Sequence, residues 1–143
     1  MKLWQNMLTR SISFDDVFYT LERLSGHHAS VSQASRLHHE VRTVQSRISG
    51  ITEEGTYLSM YAQAAMLLRH LTKRCLADGG DTRVAWMLTA IFLEVNGYSV
   101  THATSDEVSE IMASVIEKDA GVSTISRALQ AIAEHPRNEP LFP

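Results

Sequence analysis

A chain of 143 residues and 16.0 kDa has room for one hydrophobic core. Its 44% hydrophobic and 20% charged residues exclude a disordered polymer, and its net charge of −3 argues against direct nucleic-acid binding, which needs surplus cations to displace counterions. One cysteine excludes an internal disulfide or a multi-cysteine zinc site and fits a reducing compartment. The start, Met1 to Asn6, turns polar too early for a signal peptide, and no apolar run approaches the ~18 residues of a bilayer span. A cytoplasmic chain without membrane association is expected.

Apolar spacings of three and four residues recur along the chain and predict helices. Ser13 ahead of Phe14, Asp15 and Asp16 reads as a helix start, with an N-cap hydroxyl and acids meeting the macrodipole. Val17, Phe18, Leu21 and Leu24 form its apolar stripe, and Gly26 ends it. His27 to Gln33 reads as a polar loop. A second helix is predicted from about Ala34 to Ile48, with Leu37, Val41, Val44 and Ile48 on one face. The turn-type residues from Ser49 to Thr56 predict a loop or a short β-hairpin flap near residues 49–57.

Two strongly apolar helices follow, Tyr57 to about Lys73 and Arg83 to about Val95. The second is apolar nearly all round, which places it inside the core, and Asn96-Gly97 stops it. Tyr98-Ser99-Val100 reads as a short extended piece. Ser105 is the expected cap of a further helix ended by Gly121, and Ser123 to about Glu134 forms the last. The tail, residues 135–143, holds all three prolines and reads as irregular. The expectation is an all-α bundle of about six helices in one domain, residues 1–134.

The informative segment is Lys73-Arg74-Cys75-Leu76-Ala77-Asp78-Gly79-Gly80-Asp81-Thr82-Arg83, which joins the two most hydrophobic helices. Two readings of it stand side by side. In one, Gly79 and Gly80 expose consecutive amides at a helix N-terminus, so that Gly79, Gly80, Thr82 and Arg83 hold a phosphate and Asp78 and Asp81 hold Mg²⁺. In the other, the glycines end one helix and Asp81 caps the next.

From Ala65 to Val100 the chain resembles the Fic/Doc family (filamentation induced by cAMP, and death-on-curing). The helix Ala65 to Lys73 is similar to the helix before that family's His-Pro-Phe-x-Asp-Gly-Asn-Gly/Lys-Arg loop, and Arg83 to Tyr98 to the helix after it. In a gapless register Cys75 stands at the family's histidine, the general base. Leu76 and Ala77 replace Pro-Phe, Gly79 falls at the metal-binding acid with Asp78 one residue earlier, and Asp81 replaces the asparagine. Only Gly80 and Arg83 match. Sliding the register to align Asp78-Gly79 puts Arg74 at the histidine and loses Arg83. Neither register supplies an imidazole.

The resemblance implies a Fic/Doc-like helical bundle and a degenerate loop without its base. Such a protein acts by binding a partner, antitoxin-like or target, in a toxin–antitoxin or phage/plasmid setting. The alternatives are an active transferase and a helical interaction module without nucleotide chemistry. The transferase would move a nucleotidyl or phosphoryl group from ATP or another nucleotide, with Mg²⁺, to a protein hydroxyl. Cys75, its thiol pKa lowered by Lys73 and Arg74, or an incoming side chain then supplies the base. Ile51, Thr52, Glu53 and Glu54 occupy the place of the family's target-docking flap. His70, five residues before Cys75, is expected to face away from the loop, and His27-His28 and His38-His39 read as solvated pairs.

Overall fold

A computed structural model describes residues 9–26, 29–53 and 59–133. Six helices account for most of them: α1 (Phe14–Ser25), α2 (Val31–Glu53), α3 (Met60–Ala77), α4 (Arg83–Val95), α5 (Ser105–Lys118) and α6 (Val122–Ile132). Among the described residues no strand forms, and Ser99 is an isolated bridge residue. The all-α class expected from the spacing is what the chain adopts. His27, His28, Glu54 and the predicted tail lie outside the described residues.

Local chemistry sets the ends of α1 as expected. The Ser13 side chain accepts from the Asp16 amide at 3.1 Å while the Asp16 carboxylate accepts from the Ser13 amide at 3.3 Å, a reciprocal capping box. Gly26 then takes a left-handed φ of 68°, which a residue with a Cβ resists. Arg83–Val95 is helical over the predicted span, with Gly97 left-handed after it.

Five boundaries differ from the sequence expectation. Val31 to Gln33 belong to α2 rather than to a loop, because the Ser30 hydroxyl accepts from the Gln33 amide at 3.0 Å and starts the helix early. The same helix runs on through Ser49 and Gly50 to Glu53, so the predicted hairpin is not formed over residues 49–53. Ile51, Thr52 and Glu53, expected in a docking flap, are helical instead. Thr104, not Ser105, caps α5, and Ser59 starts α3 at Met60 rather than Tyr57.

The fifth difference is at Gly121. Asp119, not the glycine, takes the left-handed position that ends α5, at φ 50°. Lys73 Nζ and Arg69 Nη2 donate to its Oδ1 at 2.7 and 3.2 Å, and Arg69 Nε donates to the Ala120 carbonyl. Two cations from α3 thereby hold a residue in a conformation that alone is unfavourable.

α3 is the central element, packing on α2, α4, α5 and α6, while α1 closes over α2 and α4. Leu67, Leu68 and Leu71 of α3 meet Leu88, Phe92 and Leu93 of α4 in a core that also takes Ile125 and Leu129 from α6. At the far end of α4 the Asn96 amide does more than stop the helix. It accepts from the Arg10 amide at 2.7 Å and donates to the Arg10 carbonyl at 3.0 Å, tying the chain before α1 onto α4. The opposite end of α4 meets the end of α3, and the two helix ends together set the loop Asp78–Thr82.

Candidate functional site

The loop between α3 and α4 closes on itself. Asp78, Gly79 and Gly80 donate their amides to the carbonyls of Arg74, Leu76 and Cys75 at 3.0, 3.2 and 2.7 Å. These bonds satisfy the orphan carbonyls at the end of α3. Gly79 makes the turn possible by adopting φ 70°. The expected anion cradle is therefore corrected: the amides of Gly79 and Gly80 point back into α3 instead of outward.

The start of α4 is closed in the same way. Asp81 accepts from the Arg83 amide at 2.9 Å through Oδ1, doing the work of a cap one residue early. The nominal cap residue, Thr82, makes no side-chain cap bond. Arg83 also folds its guanidinium onto the Asp81 carboxylate, with Nε 3.0 Å from both oxygens and Nη2 2.6 Å from Oδ2. This bidentate pair holds the Asp81 carboxyl below its usual range. Both side chains remain exposed to solvent, so the pair directs geometry more than stability.

Cys75 is buried, with 8% of its surface exposed. Burial, and then the negative charges of Asp78 and Asp81, push its thiol pKa up. The lowered value expected from neighbouring Lys73 and Arg74 is reversed. Lys73 is bonded to Asp119, and Arg74 reaches toward Glu40 and Asp78. A thiol held protonated is neither a good nucleophile nor a base.

The loop forms one wall of a cleft of about 540 Å³, whose opposite wall is the first half of α2. Leu21, Leu37, Cys75 and Val84 supply its apolar lining, while Arg36, His39, Glu40, Arg74, Asp78 and Asp81 supply its charge. The key carboxylate here is one that sequence reasoning missed. Glu40 of α2 stands 2.7 Å from His70 Nε2 and 3.7 Å from Arg74 Nε, bridging α2 to α3. The His70 hydrogen bond, aided by the Arg74 charge, lowers the Glu40 pKa against the opposing effect of burial. Phasing α2 by its buried residues Ala34, Val41, Val44 and Ile48 is the signal that finds Glu40 and Arg36, since both fall on the flank of that stripe.

An imidazole from elsewhere in the chain does reach the cleft: His39 lines it from α2, while His70 is hydrogen-bonded to Glu40. His38 lies edge-on to Phe14, with ring centroids 6.0 Å apart, so the adjacent pair does diverge.

Asp78 and Asp81 share the cleft rim, but no group of three His, Cys, Asp or Glu with metal-holding geometry occurs among the described residues. A Mg²⁺ on Asp81 would have to displace Arg83 from both carboxylate oxygens, and the amides of Gly79 and Gly80 are already bonded to α3 carbonyls. The residues present do not fit the metal and nucleotide that the resemblance implies. No helix among the described residues is long and apolar enough to cross a membrane. Comparison with family models, curated proteins and solved structures gave no match for the chain.

Proposed function

We propose that the chain is a Fic/Doc-like protein of the cytoplasm whose loop is chemically silent and which acts by binding another protein. The observation that carries the reading is the internal closure of the loop. The amides of Gly79 and Gly80 cap α3, the Arg83 guanidinium is bound by Asp81, and the Cys75 thiol is buried with its pKa pushed up. A placed base contributes about 10²–10⁴-fold to a proton-transfer step, and Cys75 is not available for that role. The arrangement of a helix, a glycine turn, an arginine at the start of a buried helix and Asn96-Gly97 at its end supports the family resemblance. The toxin–antitoxin or phage/plasmid setting follows from that resemblance.

Thermal-shift titration with Mg-ATP and other nucleotides, and labelling of a lysate with radioactive nucleotide, test the reading. No shift and no label are expected from the intact chain. Label that disappears in Arg83→Ala would instead establish an active transferase. If no nucleotide response appears and expression is equally harmless for wild type and loop variants, the chain is a plain interaction module outside the toxin setting.

A further inference from the structure

The outer side of α2 carries charge that nothing in the loop uses. Between Val31 and Thr52 the helix has a single acid, Glu40, and that carboxylate is already engaged by His70 and Arg74. Arg36, Arg42 and Arg47 are exposed, and no described carboxylate lies within ion-pair distance of any of them. Arg36 and Arg47, eleven residues apart, fall within about 20° of each other on one side of α2, three turns or roughly 16 Å apart, whereas Arg42 is turned about 120° from Arg36. His39, also exposed, stands among them.

This row continues into the cleft, because Arg36 and His39 line it. The carboxylates on the far rim do not cancel the row. Asp81 is bound by Arg83, and Asp78 faces Arg74 at 3.8 Å. A chain of net charge −3 therefore presents a local positive field beside an apolar recess. A recess of about 540 Å³ falls within the range of ligand pockets and accommodates a large apolar side chain.

We infer that this surface docks an acidic peptide segment of a partner protein. One aliphatic or aromatic side chain of the segment enters the cleft over Leu37 and Val84, and its carboxylates meet Arg36 and Arg47. A phosphate backbone would use the arginines but not the apolar recess, and the overall negative charge of the chain opposes a polyanion. A peptide uses both, with a buried anchor for affinity and a charged rim for approach and register. The inference rests on the reading of the chain as a binding protein and gives that binding a place and a chemistry.

The test is selection of a random peptide library on the intact chain, followed by fluorescence anisotropy of the enriched peptides. Enriched sequences are expected to carry Asp or Glu around an aliphatic or aromatic residue. Replacing that residue by alanine, or introducing Arg36→Glu or Arg47→Glu, should each weaken binding by about tenfold or more, and added salt should weaken it further. Arg127→Glu on α6 should leave it unchanged, and circular dichroism confirms that each variant is folded. Absence of enrichment, enrichment of peptides without acids, or indifference to Arg36→Glu overturns the inference. So does tighter binding of a single-stranded oligonucleotide that competes for the same face. Nucleotide labelling would overturn the silent loop while leaving a positive peptide result intact. A failed selection with no nucleotide response overturns the docking surface alone.

Discussion

The two walls of the cleft hold similar numbers of charged groups and use them in opposite ways. On the loop, each charge has found its counterpart within a few residues: Asp81 with Arg83, and Asp78 loosely with Arg74. On α2, Arg36, Arg42 and Arg47 have no described counterpart, and the lone Glu40 turns inward to His70 and Arg74. A turn brings neighbours in sequence together and lets them neutralise one another. A helix separates neighbours by 100° and leaves each group to whatever packs against its own face. The charges of the loop are thereby spent on local structure, while the arginines of the helix stay exposed.

The comparison is broken most thoroughly by removing the core that supports both walls. Phe92→Ala empties a fully buried position between α3 and α4, and an unfolding cost of about 3–5 kcal/mol is expected. Denaturant melts would show the loss as a lower midpoint, with both walls disappearing together in one transition.

Next in size is the bridge between the walls. Glu40→Gln keeps the shape of the side chain but loses its charged bond to His70, costing about 1–2 kcal/mol. The hydrogen bond to His70 holds the Glu40 carboxyl below its ordinary value, so the folded state favours its ionised form. Its contribution is fully present above the unfolded pKa and is lost as pH falls through the lowered folded value. Wild type should therefore lose stability on acidification more steeply than Glu40→Gln below about pH 4.5. Equal slopes for the two proteins would show that the bridge does not couple the walls.

A smaller change opens the loop. Asp81→Ala removes the acceptor for the Arg83 amide and releases the guanidinium, at a cost of about 1 kcal/mol, as for other lost caps. The variant should gain weak, salt-sensitive sulfate or phosphate binding by isothermal titration that wild type lacks. If wild type binds the anion equally well, Arg83 is not held by Asp81 in solution.

These particulars also show how far the sequence was legible. Local rules succeeded where neighbouring residues settle the matter: the Ser13 capping box, the Gly26 stop, and the limits of α4. They failed at Ser49-Gly50, where a glycine costs only about 1 kcal/mol in a helix and the apolar rhythm of Val41, Val44 and Ile48 continues to Ile51. Asp78, Asp81, Cys75 and Arg83 could be picked out because they lie in one short stretch. Phasing α2 places Arg36 and Glu40 on the flank of its buried stripe, but that the loop lies against this flank is a tertiary fact that no local pattern encodes. Net charge misled in the same way, since a sum says nothing about which face bears the cations.

The smallest effect belongs to Asp119, where tertiary charge replaced the expected glycine. Asp119→Asn removes the attraction of Lys73 and Arg69 but keeps a residue type tolerated in the left-handed region. The site is exposed, so a thermal midpoint lowered by a degree or two at low salt is the expected scale. At 1 M salt the Debye length falls to about 3 Å, and the difference between the two proteins should shrink toward zero. Asp119→Gly relieves the positive φ while losing the same two cations. If it proves more stable than wild type at low salt, backbone strain outweighs the ion pairs, and the clamp of α3 on the α5–α6 turn is only tolerated. If it proves less stable, the cations set the turn, which is the order the short Lys73–Asp119 distance supports.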